Sequence, residues 1–463
     1  MMKRRQNVPP WAKVLLQHML RPPYFLEQIA SANAQKSSAS QEAKPKSHKE
    51  TENRAADEDV GGHSFVEGQP VHPRPDGRSE THSSRHTAAS GRPAQPYSHP
   101  HARHEGTIDE ELVTTSLPNV ELTGPAWRRV LRRLDIPPEL PKAYGWSVKR
   151  AEAVGGVARV ITPSRVYAVK RTHLSPEGIR CIYELANYVR IHGFPLTPRF
   201  ALTKKPRRPF FSRDGQPYYA TRWVVGNPAN FSRIEQVAAV SRALARFHKA
   251  SRGFEPQSGG SLRSEFNLEG LCKRRLSDLR VLLLEAEQRK ARDRFAQRLC
   301  DLGPTLRRDA EAALALLAEA DVRAHLYREE EDPCVCHLDV TPDNFIYTPN
   351  HDVAVLDLDL AAYAPRALDV AHLLRRSLER QRWSGDVAYR CFLEFDKVQS
   401  MTKAEYTLVR ALLTFPYRAW RLAHAHLRLQ PRPDDLADLE DFAQQQEQRQ
   451  HFLEAFAEQI QQV

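Results

Sequence analysis

The sequence from Cys336 to Ala361, CHLDVTPDNFIYTPNHDVAVLDLDLA, mixes acidic side chains with short apolar runs. The acidic residues are Asp339, Asp343, Asp352, Asp357 and Asp359. Carboxylates repel one another and are costly to bury, so this cluster calls for a compensating cation. We interpret the stretch as a loop, HLDVTPDN, followed by a β-hairpin with the strands FIYT and VAVLDLDL and the turn PNHD.

This hairpin would bring Asp339, Asn344 and Asp357 together at one end. Oxygen ligands gathered around one point are what Mg²⁺ requires, and the metal would relieve the repulsion. The pattern His-x-Asp-x-x-x-x-Asn followed by an Asp is also the catalytic arrangement of protein-kinase-like phosphotransferases. By role, Asp339 would accept the proton of an attacking hydroxyl, and Asn344 and Asp357 would hold Mg²⁺ against the phosphates of ATP. His337 would brace the loop.

A lysine far upstream completes this constellation. The segment VYAVK, Val166–Lys170, predicts a β-strand whose lysine contacts the α- and β-phosphates of ATP. The next segment, PEGIRCIYELANYVRIHG, predicts a helix, and its Glu184 is the expected ion-pair partner of Lys170. Glu177 is the alternative partner, but its position near the start of the helix favours a capping role.

The order of these segments predicts the domain organisation. A strand-rich part followed by a helix-rich part indicates an α+β protein with two lobes. We assign residues 118–225 to a nucleotide-binding lobe and residues 226–463 to a catalytic and acceptor-binding lobe. Residues 1–30 contain one short amphipathic helix. Residues 31–117 are predicted to be a disordered linker, because so polar a segment cannot bury enough surface to offset chain entropy.

The amino-acid composition indicates which classes of molecule the protein is expected to bind. The 463-residue chain has a formal net charge of +11, which favours anionic partners. Nucleic acid is disfavoured, because no recognition helix, zinc finger or aromatic-interleaved basic stripe is present. No apolar run approaches the roughly 20 residues of a membrane span. Six cysteines without regular spacing fit a reducing compartment, so we expect synthesis in the cytoplasm.

From about residue 120 to 460 the chain resembles the aminoglycoside phosphotransferase and choline kinase branch, and more closely the CotS-type spore coat proteins. The resemblance lies in ELANYVRIHGFP, RALARFHKAS, HLDVTPDNFI, VLDLDLA, ALDVAHLLRR and LTFPYRAWRL. It implies a protein-kinase-like fold, ATP and Mg²⁺ as cofactors, and a place in the spore coat. Other coat proteins would then be partners of the N-terminal extension. It also places Asp369 where a structural aspartate supports the catalytic loop, with Asp359 as a further supporting residue.

The sequence is compatible with two functions. The first is an ATP-dependent phosphotransferase acting on a hydroxyl of a small molecule or saccharide. The second is an inactive, structural coat protein on a kinase fold, since only Gly155 and Gly156 are available for a loop over the phosphates. A protein-serine kinase is disfavoured, because the chain lacks an activation segment ending in Ala-Pro-Glu.

The C-terminal helices would build the acceptor pocket in a fold of this kind. Their candidate wall residues are Arg410, Arg418, Arg421, His424 and His426. The arginines would either neutralise an anionic acceptor or face solvent, and the sequence does not distinguish these alternatives.

Overall fold

The structure is a computed structural model that describes residues 125–259, 262, 267–331 and 333–462. The predicted N-terminal helix and the predicted linker therefore lie outside the described residues. Two helices come first in the described part of the chain: α1 (Ala126–Arg133) and α2 (Leu140–Tyr144).

A five-stranded antiparallel sheet follows, in the spatial order β1-β2-β3-β5-β4. Its strands are β1 (Arg150–Val154), β2 (Val157–Ile161), β3 (Val166–Arg171), β4 (Phe210–Arg213) and β5 (Gln216–Arg222). The predicted strand Val166–Lys170 is confirmed as β3, which continues through Arg171.

The side chains of β3 point alternately to a face that packs on helices and to the face that carries Lys170. Val169 is fully buried in a core with Val160, Ala220 and Leu131, so this face of the sheet packs on α1 and α2. Successive side chains of a strand point to opposite faces, so Lys170 lies on the other face of the sheet. The helix α3 (Pro176–Ile191) follows β3, and its first turn is capped by the hydroxyl of Ser175.

The C-terminal part of the chain is mostly helical, as the apolar periodicity predicts. Its helices are α4 (Ile234–Ser251), α5 (Leu268–Arg289), α6 (Arg294–Leu317), α7 (Ala320–Glu331), α8 (Ala367–Arg380), α9 (Gly385–Asp396), α10 (Lys403–Thr414), α11 (Tyr417–His424), α12 (Asp435–Gln444) and α13 (Gln446–Gln461). They share one apolar core with α3. None of the described helices is long and apolar enough to cross a lipid bilayer.

Short strands interrupt these helices and position the acidic segment. They are β6 (Asn227–Pro228), β7 (Val335–Cys336), β8 (Phe345–Tyr347), β9 (Val353–Val355) and β10 (Ala362–Tyr363). The predicted hairpin is confirmed as β8 and β9, in which Phe345 pairs with Val355. The prediction that the return strand continues through Asp359 is wrong. Asp357 has a φ of +56°, a left-handed conformation that ends the ladder, and a 3₁₀ turn follows at Leu358–Leu360.

Candidate active site

Lys170 and the acidic segment form one ion-pair network between the sheet and the helical lobe. The Nζ atom of Lys170 lies 2.7 and 2.8 Å from the two carboxylate oxygens of Asp357. It also lies 3.0 Å from Oδ2 of Asp359. The cation that the acidic cluster called for is, in this structure, the ammonium group of a residue on β3.

Two residues that sequence reasoning missed hold Asp359 in place. The hydroxyl of Thr172 donates to Oδ2 of Asp359 at 2.7 Å, and the hydroxyl of Tyr219 donates to Oδ1 at 2.7 Å. Tyr219 lies directly opposite Lys170 in the pairing of β5 with β3, so both side chains reach the same carboxylates. Tyr219 could be identified only from its position opposite Lys170, and that position is known only once β5 is paired with β3. Asp359 thus supports the site as a hydrogen-bonded anchor.

The opposite charges of Lys170 and its two aspartate partners set the direction of the pKa shifts in this network. Burial disfavours the charged form of Lys170, but the negative charges of Asp357 and Asp359 outweigh it and raise the pKa of the lysine. Burial likewise disfavours the charged form of Asp357, and Lys170 outweighs that effect and lowers the pKa of the carboxyl group. Both groups are therefore charged at neutral pH.

The predicted ion pair between Lys170 and Glu184 is wrong for this structure. Glu184 lies on α3, and its Oε2 accepts hydrogen bonds from the backbone N–H groups of Gln257 at 2.8 Å and Ser258 at 3.3 Å. Glu184 therefore fixes the segment that follows α4. The lysine instead finds its counter-charges in the acidic segment. The alternative partner, Glu177, is exposed and pairs with Arg180 in the first turn of α3.

Asp369, on α8, supports the loop that carries the predicted catalytic residues. Its fully buried carboxylate accepts the backbone N–H groups of His337 at 2.7 Å and Leu338 at 2.8 Å. Its Oδ2 also lies 2.8 Å from Nε2 of His248, a buried residue of α4. Leu338 has a φ of +62°, which is unfavourable for a residue with a side chain, so these hydrogen bonds hold the loop in a strained conformation. His248 was not singled out from the sequence, although it belongs to the motif RALARFHKAS.

His337 is buried and engaged at both ring nitrogens. Its Nε2 lies 2.6 Å from the carbonyl oxygen of Leu356, and its Nδ1 accepts the backbone N–H of Asp339 at 3.2 Å. An imidazole that donates from Nε2 and accepts at Nδ1 is neutral and has no nitrogen left for proton transfer. His337 thus links the loop to the residue that precedes Asp357.

Asn344 and Asp339 contact each other directly. The side-chain amide nitrogen of Asn344 donates to Oδ2 of Asp339 at 2.8 Å and to the carbonyl oxygen of Asp339 at 2.9 Å. The backbone N–H of Leu356, next to Asp357, binds the carbonyl oxygen of Asn344 at 2.8 Å. Hydrogen bonds therefore join Asn344 to Asp339 and to the residue that precedes Asp357 at one end of the hairpin.

The donor set fits Mg²⁺. Because its amide nitrogen is committed to Asp339, Asn344 presents its amide oxygen, and Asp357 presents a carboxylate that already binds a cation, the ammonium of Lys170. Amide and carboxylate oxygens are the ligands that Mg²⁺ prefers.

Gly155 and Gly156 form the two-residue turn between β1 and β2, which the pair Val154 and Val157 closes. Gly155 has a φ of +57°, a conformation that favours glycine. A Cβ atom on either glycine would meet nothing within 4 Å, so the space around this turn is open. The turn offers few backbone amides for phosphate, in keeping with the sparse glycine content of the sequence.

The chain is similar to known phosphotransferases in sequence and in fold. Residues 153–398 match the family described as the phosphotransferase enzyme family. An aminoglycoside phosphotransferase from Alicyclobacillus acidocaldarius is 39% identical, with a TM-score of 0.67, and the match covers 71% of this chain and 97% of that one. This chain belongs to the phosphotransferase enzyme family. The predicted α+β, kinase-like fold and the resemblance to aminoglycoside phosphotransferases are thereby confirmed.

More distant structures align over a similar length. A spectinomycin phosphotransferase in complex with ADP and spectinomycin is 14% identical with a TM-score of 0.45, covering 70% of this chain and 97% of that one. A choline kinase from Streptococcus pneumoniae is 14% identical with a TM-score of 0.33, covering 67% of this chain and 94% of that one. No curated protein matches the chain.

Proposed function

We propose that this protein is an ATP- and Mg²⁺-dependent phosphotransferase that acts on a hydroxyl group of a small molecule or saccharide. The observation that carries the proposal is the convergence of Lys170, Asp339, Asn344 and Asp357, which come from separate parts of the chain, at one point between the sheet and the helical lobe. A structural protein would gain nothing from a carboxylate base beside a cation site. Membership of the phosphotransferase family supports the same reaction class.

Asp339 would act as the base in this reaction. Its carboxylate receives the proton of the acceptor hydroxyl while the hydroxyl oxygen forms a bond to the γ-phosphorus and the bond between that phosphorus and the leaving oxygen of ADP breaks. Asn344 orients the carboxylate through its hydrogen bond to Oδ2, which leaves Oδ1 for the acceptor. Asp369 and His337 would hold the loop that carries Asp339 in place through their hydrogen bonds to backbone groups.

Lys170, Asp357 and Asn344 would hold the nucleotide. Lys170 would contact the α- and β-phosphates, and Asp357 and Asn344 would hold Mg²⁺. When bound, the metal neutralises charge that develops on the phosphate oxygens. Thr172 and Tyr219 would keep Asp359 fixed beside them.

An inactive structural role is the second candidate, and the short turn between β1 and β2 favours it. Two glycines provide little cover for the phosphates of a nucleotide, so affinity for ATP would be low. The same family fold would then serve as a scaffold.

We further propose that the protein is associated with the bacterial spore coat and meets other coat proteins through its N-terminal extension. This proposal rests on the sequence resemblance to CotS-type proteins. A fluorescent fusion expressed during sporulation tests it, and a diffuse signal in the mother cell with none on the spore would contradict it.

The test of the catalytic proposal is transfer of radiolabelled γ-phosphate from MgATP to a panel of sugars, amino alcohols and aminoglycosides. Asp339→Asn should bind MgATP as the parent does and lose turnover, because only the base is removed. Asp343→Asn is the matched control, since Asp343 is exposed in the same loop and should keep full activity. Equal activity of the parent and Asp339→Asn would rule out the assigned base, and a parent that does not bind MgATP would favour the structural role.

A further inference from the structure

A group of arginines lies next to the catalytic loop, at the junction of α8 and α11. We call it the arginine wall. Its members are Arg375, Arg376 and Arg380 on α8, and Arg418 and Arg421 on α11. Glu379 is the carboxylate that interacts with most of them. The wall therefore carries an excess of positive charge.

Arg376 lies on the same face of α8 as the aspartate that holds the catalytic loop. Asp369 and Arg376 are seven residues apart on α8, which is close to two full turns, so they lie on the same face of the helix. Asp369 holds the backbone of the catalytic loop, and Arg376 lies about 10 Å further along that face. Burial lowers the pKa of Arg376 to about 10, and the nearby negative charge of Asp339 acts in the opposite direction. The carboxylate of Asp339, the proposed base, is thus close enough to Arg376 to act on its charge.

Two guanidinium groups of the wall contain buried nitrogen atoms without a hydrogen-bond partner among the described residues. Arg375 is 1% exposed, and its Nε and Nη1 atoms are buried without a hydrogen-bond partner among the described residues. Its guanidinium carbon lies 4.0 Å from the ring centroid of Tyr417 on α11, in a cation–π contact. The Nε atom of Arg376 is also buried and has no partner within the described part of the chain.

A buried guanidinium group lowers the stability of the folded protein unless an anion or a hydrogen bond compensates its charge. Buried cations in native proteins are paired with a carboxylate or bound to an anion. Arg418 follows this rule, because it pairs with Asp441 at 2.7 Å. Arg375 and Arg376 share the single charge of Glu379 with Arg380 and Arg418. Their nitrogen atoms without partners among the described residues leave hydrogen bonds for an anion supplied from outside the chain.

We propose that the acceptor carries, besides its hydroxyl group, an anionic carboxylate or phosphate that binds the arginine wall. This inference rests on the proposed phosphotransferase function. The planar guanidinium fork matches both anions by paired hydrogen bonds, whereas a cationic acceptor would be repelled. Of the alternatives that the sequence left open for the arginines, neutralisation of an anionic acceptor is therefore the one we adopt for Arg421 and its neighbours on α8. Arg410 lies elsewhere, beside Glu319.

Inorganic phosphate is the first probe, titrated calorimetrically into the full-length protein with and without MgADP. Phosphate should bind in both conditions. Arg376→Gln and Arg421→Gln should each weaken its binding about tenfold, the factor that one hydrogen bond to a charged group supplies. Arg390→Gln, which removes an exposed arginine of α9, is the matched control and should change nothing. Phosphate affinity that is equal in the parent and in Arg376→Gln would overturn the proposal.

The nucleotide site must be distinguished from the wall. Lys170→Met should weaken MgADP and keep phosphate binding, while Arg376→Gln should do the reverse. If Lys170→Met is the variant that loses phosphate, the anion binds in the nucleotide site and the proposal fails. Phosphate binding at the wall with no binding of MgATP would show that the phosphotransferase function is wrong. The wall would then be an anion site, but it would not be part of an acceptor site.

Glucuronate and glucose 6-phosphate, compared with glucose, distinguish a carboxylate from a phosphate. Each is titrated into the protein saturated with MgADP. The anionic sugar that fits should bind at least tenfold more tightly than glucose, and that difference should disappear in Arg376→Gln. Equal binding of all three sugars would contradict the proposal.

Discussion

The Nζ atom of Lys170 lies within 2.8 Å of both carboxylate oxygens of Asp357, a residue 187 positions away in the chain. This contact joins the sheet to the acidic segment. It also means that the lysine neutralises the carboxylates that we assign to Mg²⁺ and to its support.

Replacing Lys170 by Met should therefore destabilise the protein in the absence of metal. Asp357 and Asp359 would lose a charge-assisted partner, which costs about 2 kcal/mol in the free energy of unfolding. Mg²⁺ should recover more of this loss in Lys170→Met than it adds to the parent, because it substitutes for the missing cation. Thermal denaturation with and without Mg²⁺ measures both effects, with the exposed Lys149→Met as control. An unchanged melting temperature would show that the ion pair contributes nothing.

Glu184→Gln should leave the affinity for MgATP within about threefold of the parent, less than 1 kcal/mol. Its carboxylate binds the backbone at Gln257 and Ser258, not Lys170. The variant should instead lose about 1 kcal/mol of stability, because a charged acceptor of two backbone amides becomes neutral. Calorimetric titration of MgATP checks the first expectation and urea denaturation the second. A loss of affinity as large as that of Lys170→Met would show that Glu184 moves to the lysine when nucleotide binds.

Asp369→Asn should impair both stability and turnover. The buried carboxylate accepts bonds from His337, Leu338 and His248, and an amide cannot replace it without leaving a donor facing a donor. We expect a loss of about 3 kcal/mol in unfolding free energy and a lower kcat at saturating MgATP. Denaturant unfolding and steady-state kinetics are the measurements. Asp386→Asn, an exposed position of α9, is the control, and equal behaviour of the two variants would contradict the assignment.

The carboxyl group of Asp396 should make stability depend on pH. Burial raises its pKa to about 6, although Tyr406 and Met401 donate hydrogen bonds to it. Since the folded state binds this proton more tightly than the unfolded state, the group stabilises the fold below its ordinary pKa, and that contribution is lost as pH rises through about 6. The unfolding free energy of the parent relative to Asp396→Asn should fall by about 2 kcal/mol between pH 4 and pH 7. A difference that stays constant over this range would refute the assignment.

Removal of residues 1–105 should leave the melting temperature and the affinity for MgATP unchanged. The expectation comes from the polar composition of the extension, and the core residues of the described structure begin at Leu131. If the spore-coat proposal holds, the same deletion should reduce incorporation into the coat. Scanning calorimetry and quantification of the protein in purified spores are the two measurements. A large drop in melting temperature would show that the extension packs on the lobes.

Local sequence patterns were sufficient for most of the secondary structure and for the order of the site residues. The alternation in VYAVK and the apolar periodicity of the helices depend on neighbours within a few residues, and so does the spacing of His337, Asp339 and Asn344. These features were predicted correctly as strand, helix and loop. The return strand was extended too far, because its apolar pattern does not reveal the left-handed conformation at Asp357.

The partners of charged side chains were decided by the tertiary structure alone. Lys170 binds Asp357 and not Glu184, and Tyr219 reaches Asp359 across paired strands. The charge of Asp339 acts on Arg376, which α8 brings near it. Each of these relationships joins residues that are distant in the chain, and each depends on strand register or on helix packing. Electrostatic energy varies with distance and burial, neither of which a local sequence pattern contains. The sequence by itself therefore determined the chemical groups of this protein, and the fold determined which of them face one another.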